Sequence, residues 1–256
     1  MILVLAGTLE GRIVADLLQQ AGFSVQVSAV TDYGTDLLTR QGIEHISSGP
    51  LDETALRQVL KQGITLLVDA THPFASLASQ NAMSAAATVG VPYLRLERLT
   101  TAIPSHPLVH DAASLQDCIQ KALGLGKVLF STLGSKNLPA LLAAARPAGV
   151  RVVARVLPVS GVLHACRELG LTPADLVALQ GPCSRELNVA LYRQYQAQVV
   201  LTKNSGPTGG VEEKIAAALQ VGIPIVVWQR PRLHYPLVLH QPTEVVQYCL
   251  KNLKTG

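Results

Sequence analysis

Short β-branched runs alternate with amphipathic helical stretches along nearly the whole chain, and that rhythm is the strongest constraint on the fold. Strands that each feed a helix and then another strand pack as a parallel sheet covered on both faces, not as a sandwich or a bundle. The first half predicts strands near residues 1–5, 24–29, 43–47, 65–69 and 92–95. Helices are predicted near 33–40, 52–62 and 74–89, and the one after the first strand places Ile13, Val14, Leu17, Leu18 and Ala21 on one face. Gly22, Gly42, Gly63 and Gly90 stand where those helices should stop.

Residues 96–112, with Pro104, Pro107, His106 and His110, break the rhythm and are read as a crossover leading to a helix near 113–124. The second half resumes with strands near 127–131, 150–156, 176–179, 197–202 and 223–229. Its helices fall near 138–145, 160–169, 184–195 and 209–221, the last with Val211, Ile215, Ala218 and Leu219 on one face. The expectation is two Rossmann-like parallel-sheet α/β domains with an interdomain cleft. They span residues 1–98 and 126–256, joined by a crossover and linking helix at 99–125.

Composition narrows the function classes. The chain is 48% hydrophobic and 15% charged over 256 residues, too apolar for disorder, and no apolar run is long enough to span a bilayer. The beginning, Met1-Ile2-Leu3-Val4-Leu5, reads as a strand and not as a secretory leader, so a cytoplasmic protein is expected. Cys118, Cys166, Cys183 and Cys249 form no Cys-x-x-Cys pair and the histidines are scattered, so neither a disulfide framework nor a metal site is suggested. A net charge of +4 with only 4% aromatic residues lacks the stacking platform of a nucleic-acid binder and suits a small anionic ligand.

In parallel sheets, ligands bind beyond the carboxyl ends of the strands. Four strand ends here carry polar or glycine-rich segments. Gly7-Thr8-Leu9-Glu10-Gly11-Arg12 opens a helix, so its amides and the helix dipole would face an anion, although Leu9 stands where a dinucleotide fingerprint has its middle glycine. An ordinary strand-to-helix turn is the plain alternative. Asp32 follows Gly11 by 21 positions, near where an acid accepts a ribose hydroxyl, and equally suits a helix cap. Asp69-Ala70-Thr71-His72-Pro73-Phe74 is a dense polar cluster in which His72 is either a loop residue or a proton carrier. Ser131-Thr132-Leu133-Gly134-Ser135-Lys136-Asn137 and Thr202-Lys203-Asn204-Ser205-Gly206 mix hydroxyls, glycines and single lysines, as a nest for phosphate or carboxylate would, while both lysines could simply be solvated. Gly209-Gly210 before the last helix offers another helix N-terminus. No P-loop, His-Glu-x-x-His, Gly-x-Ser-x-Gly or Tyr-x-x-x-Lys motif is present.

Taken in order, Leu5-Ala6-Gly7-Thr8-Leu9-Glu10-Gly11-Arg12, the segments at 69–75, 132–137 and 202–206, Glu213-Lys214 and Ile223-Pro224-Ile225-Val226 resemble the precorrin-6A and cobalt-precorrin-6A reductase family of corrin biosynthesis. The resemblance implies reduction of one macrocycle double bond by NADPH or NADH. It implies a cofactor held by Gly7, Thr8, Glu10, Gly11, Arg12, Asp32, Thr71, His72, Pro73 and Phe74. The anionic tetrapyrrole, precorrin-6A or its cobalt form, would be met by Arg95, Thr132, Gly134, Ser135, Lys136, Lys203, Asn204, Ser205 and Gly206, with Arg12, Arg98 and Arg155 as further cations. His72 is the nominee for proton donation, which water could also supply. Transient contact with neighbouring enzymes of the route is part of the same picture. Ala6 departs from the family's more usual glycine, and Thr31-Asp32-Tyr33-Gly34 looks more like the cobalt branch. Asp32 would repel a 2′-phosphate, which favours NADH. Rival readings are an S-adenosylmethionine-dependent tetrapyrrole methyltransferase and a nucleotide-sensing module without catalysis.

Overall fold

The computed structural model describes residues 1–29, 34, 35, 38, 39, 43, 45–49 and 52–253. Two units divide the chain, residues 1–99 with 232–256 and residues 100–231. Each carries a six-stranded parallel sheet.

The first sheet contains β1 (Ile2–Leu5), β2 (Val25–Ala29), β3 (Ile46–Ser48), β4 (Leu66–Asp69), β5 (Tyr93–Leu96) and β12 (Val238–Leu239), in the order β12-β5-β4-β1-β2-β3. Alternation in β1 sends Ile2 and Val4 to one face and Leu3 and Leu5 to the other. The first pair packs on Val14 and Leu18 of helix α1 (Leu9–Gln20) and on Val245 and Cys249 of the last helix, α9 (Pro242–Asn252). The second packs on Leu56 and Leu60 of α2 (Glu53–Leu60) and on Ala82, Ala85 and Ala86 of α3 (Ser76–Val89). Burial on both faces is why these strands read as unbroken apolar runs.

The second sheet contains β6 (Val109–Ala112), β7 (Val128–Ser131), β8 (Arg151–Val156), β9 (Leu176–Ala178), β10 (Val199–Lys203) and β11 (Ile225–Trp228), in the order β6-β11-β10-β7-β8-β9. One face meets α4 (Leu115–Leu125), α5 (Leu138–Ala145) and α6 (Ser160–Glu168). The other meets α7 (Arg185–Gln194) and α8 (Val211–Val221). Caps explain several helix starts: the side chains of Thr8, Asp52, Ser114 and Ser184 each accept a backbone N–H three residues on. Gly22, Gly63 and Gly90 hold left-handed φ values of 84°, 85° and 78° after their helices.

Sequence reasoning differs from the structure at three places. The expected second domain, 126–256, loses its tail, because the main chain at Leu237 and Leu239 accepts bonds from Arg95 and Glu97 N–H and adds β12 to the first sheet. Helix α9 follows through a Gln241/Glu244 capping box and buries Val245 and Cys249 in the first core. The expected 99–125 crossover supplies strand β6 and helix α4 to the second sheet. As an edge strand carrying His110 and Asp111, β6 has almost no apolar signature. The expected helix at 33–40 and the Gly42 stop fall partly or wholly outside the described residues. All four cysteines are free and buried, and among the described residues no helix is long and apolar enough to cross a membrane.

Candidate active site

In the first sheet the chain runs β1-β2-β3 toward one edge and β4-β5 toward the other, so the strand order reverses between β1 and β4. Loops leaving adjacent strands at such a point diverge and open a crevice. Here they are the Gly7–Gly11 loop and the Ala70–Phe74 loop. Thr8 Oγ1 donates to Ala70 O at 3.1 Å and accepts from Gly11 N at 3.2 Å, tying the two together. A Cβ on Gly7 would lie 3.2 Å from Thr71 Cα, and one on Gly11 would lie 2.9 Å from Ala6 Cα and 3.0 Å from Ala70 Cβ. Gly11 therefore performs the close helix-to-strand packing that the last glycine of a dinucleotide loop performs. Gly11→Ala is expected to cost about 1–3 kcal/mol through overpacking; urea unfolding measures it, and an unchanged midpoint would refute the tight contact.

Glu10 brings a negative charge to the helix start, where an anionic ligand would otherwise be favoured. Arg98 Nη2 stands 2.8 Å from its Oε2, as an ion pair rather than an aligned hydrogen bond. Arg98 thus neutralises the loop's own acid. Arg12 sits half-buried in the first turn, and Leu9 is 47% exposed. Asp32 lies outside the described residues.

Beneath the second loop is a buried polar knot. Asp69, with no exposed surface, accepts from Thr71 N at 2.9 Å, Arg95 Nη1 at 2.8 Å and Tyr93 Oη at 2.6 Å. Arg95, 1% exposed, also donates to Thr71 Oγ1 and Thr71 O at 3.0 Å each and to Glu97 Oε2 at 2.5 Å, and it stacks over Tyr235. Burial alone would push the Asp69 carboxyl up, but Arg95, Ser79, Tyr93 and the Thr71 amide outweigh it and hold it below the ordinary range. Arg95 was expected to meet substrate; its donors are instead spent on the fold, and it positions the loop that carries His72. The His72 ring, half-buried and 5.8 Å from Phe74, accepts the Phe74 N–H on Nδ1 at 3.2 Å. That bond leaves Nε2 as the ring's donor.

The second sheet reverses its order between β7 and β10, and the other two expected segments follow those strands. Thr132 N and Oγ1 both donate to Leu201 O, at 2.9 and 3.0 Å. Gly134 takes a left-handed φ of 83° and a short turn at Ser135–Asn137 follows. Lys203 stands 5.4 Å from the Trp228 ring centre, and burial together with Lys136 lowers its amine to about 8. Asn204, expected as a substrate contact, is 1% exposed and spends its amide on Thr101 N, Thr101 O and Gln229, so it clamps the loop. Ser205 is buried beneath Gly209, whose added Cβ would strike Ser205 Oγ at 2.1 Å. Gly206 has a φ of 85°.

Residues 1–250 match the family model described as Precorrin-6x reductase CbiJ/CobK. A cobalt-precorrin-6A reductase of Priestia megaterium is 36% identical over 257 residues, covering 100% of both chains. One from Methanothermobacter thermautotrophicus is 36% identical over 258 residues, covering 99% of this chain and 84% of its own. Among solved structures, the CobK precorrin-6A reductase superposes with a TM-score of 0.76 at 23% identity, over 98% of this chain and 96% of that one, which shows the shared fold.

Proposed function

This chain belongs to the precorrin-6x reductase family, and from that premise we propose that it reduces one double bond of precorrin-6A, or of its cobalt form, with NADH or NADPH as donor, in cobalamin biosynthesis in the cytoplasm. The observation that carries the cofactor half is the laced pair of loops at the strand-order reversal of the first sheet. Gly7 and Gly11 admit close backbone packing there, and Thr8 caps the helix whose N-terminus would face a pyrophosphate.

Gly7, Thr8, Gly11, Arg12 and the Thr71–Phe74 loop would hold the dinucleotide, with Glu10 kept neutralised by Arg98. When bound, the nicotinamide supplies the hydride. The chain's own contribution is positional and electrostatic. Asp69 and Arg95 fix the backbone at Thr71, and that fixes the direction of the His72 ring. A hydride delivered to one carbon of the double bond leaves the neighbouring atom to take a proton, and His72, charged by a proton from solvent, is the donor nominated for it, returning to the neutral ring. Cationic side chains, Lys136 and Lys203 among them, would meet the carboxylates of the macrocycle.

NADH is the expected donor, because Asp32 would accept ribose hydroxyls and repel a 2′-phosphate. At about 100 times its dissociation constant, a ligand bound only by the native state adds about 2.7 kcal/mol. Thermal unfolding with NADH, NADPH and S-adenosylmethionine in parallel should show the largest rise with NADH. A rise with S-adenosylmethionine alone would replace reduction by methyl transfer, and NADPH exceeding NADH would overturn the role given to Asp32.

A further inference from the structure

The second unit buries two cations that no carboxylate meets among the described residues. Arg155 is 8% exposed and donates from Nη1 to Cys183 Sγ and Asn188 Oδ1, both at 3.1 Å. Lys214 is 5% exposed and, among the described residues, donates only to Gly209 O, at 2.8 Å. Taking such charges out of water costs several kcal/mol each unless an opposite charge compensates. Burial, Arg155 and Lys203 lower the Lys214 amine to about 7, against the opposing influence of Cys183.

Two hydroxyls nearby have the same deficit. Tyr192 Oη and Thr202 Oγ1 are buried, and neither has a hydrogen-bond partner among the described residues. Tyr192 lies within electrostatic reach of Arg155 and Cys183. Strand alternation puts all four on one side of the sheet: Val153 and Val200 pack with Tyr192, Val211 and Ile215, so Arg155 and Thr202, two positions on, face the same way. The registers Leu201↔Ser131 and Ser131↔Ala154 then place Thr202, Thr132 and Arg155 in one row across the carboxyl ends of β10, β7 and β8. Helix α8, which carries Lys214, begins at the same end after Gly210, whose φ is 63°.

Buried polar groups are ordinarily satisfied, and a cluster of donors with no anion among them calls for one. We propose that Arg155 and Lys214 form an oxyanion-binding site in the second unit, with the Thr202 and Tyr192 hydroxyls as further donors, for a carboxylate or phosphate group carried by a ligand. A group made only of acceptors completes this set, and the helix dipole adds to its hold. Which molecule bears the anion rests on the reductase function proposed above: a macrocycle carboxylate or a dinucleotide phosphate.

The test uses the full chain with Lys214→Met and Arg155→Met. Thermal unfolding and titration calorimetry are run without ligand, with inorganic pyrophosphate, with a polycarboxylated porphyrin, and with NADH. The wild type should be stabilised by at least one of the two polyanions. Each variant should bind that polyanion at least about tenfold more weakly while melting, without ligand, at or above the wild-type temperature, because an uncompensated buried charge has gone. Wild-type affinity should fall as the pH rises through about 7, where Lys214 loses its proton, and Lys214→Met should flatten that slope. An unchanged NADH response in the variants assigns the site to the macrocycle; its loss assigns the site to the dinucleotide phosphate. No response of the wild type to either polyanion, or variants that melt lower yet bind as well as the wild type, would overturn the site and make both cations structural. A wild type unresponsive to NADH would instead sink the cofactor proposal and leave the polyanion result standing.

Discussion

Arg95→Met is expected to destabilise the first unit by about 3–5 kcal/mol, the cost of leaving one member of a buried ion pair without the other. The methionine fills most of the volume, so the loss is chiefly electrostatic. Asp69 would keep Tyr93 and the Thr71 amide, but it would lose the one full positive charge that pairs with it among the described residues while staying at zero exposure. Thr71 would lose both donors that fix its hydroxyl and carbonyl. The pH dependence carries the signature. In the wild type the Asp69 carboxyl is held below its unfolded value, so its stabilisation is present above the unfolded value and disappears only as the pH falls through the lower, folded one. Without Arg95, burial dominates and the folded carboxyl rises, so the charged form becomes the penalised one. The cost of Arg95→Met, measured by urea unfolding, should therefore be larger at about pH 8 than at about pH 5. An equal cost at both would show that the pair contributes packing alone. Reductase turnover should fall with stability, since the same guanidinium orders the His72 loop.

Arg95 and Asp69 also show how far the sequence can be read. Both interrupt or end apolar runs, Tyr93-Leu94-Arg95-Leu96 and Leu66-Leu67-Val68-Asp69, and a charge there is legible as exceptional. What is not legible is the partner, because β4 and β5 become neighbours only through the sheet. The guanidinium consequently reads as a substrate contact when it is a strut. Lys214 is the converse. It occupies the position three residues after Val211 and next to Ile215, on the stripe that α8 buries, so helical periodicity alone marks it as a lysine in a core position. Arg155 within Val152-Val153-Ala154-Arg155-Val156 sends the same signal. By contrast, β6 and β12 and the return of residues 232–256 to the first unit were hidden, since short edge strands with polar residues carry no period and their pairing depends on partners far along the chain. The central strands, buried on both faces, were readable to within about two residues, because unbroken apolar runs and glycine stops are local.

His72→Ala is expected to lower turnover by about 10²–10⁴-fold, the usual contribution of a positioned proton donor, with far less effect on the melting temperature because the ring is only half-buried. The alternative is that the ring matters only by holding its loop through the Phe74 N–H. His72→Asn separates these roles: its side-chain oxygen can accept the Phe74 amide much as Nδ1 does, but it has no group at the position of Nε2. If His72 donates the proton, both variants are slow in single-turnover oxidation of the nicotinamide, and their affinity for the dinucleotide, read by its fluorescence, stays within a few-fold of the wild type. If the ring is a brace, Asn restores turnover and Ala does not. Full activity in both variants would hand protonation to water and leave the hydride step as the only chemistry this loop positions. The Nδ1 bond marks the neutral ring, which serves the brace, whereas donation asks for the imidazolium, which gives that bond up, so His72→Asn is the deciding variant.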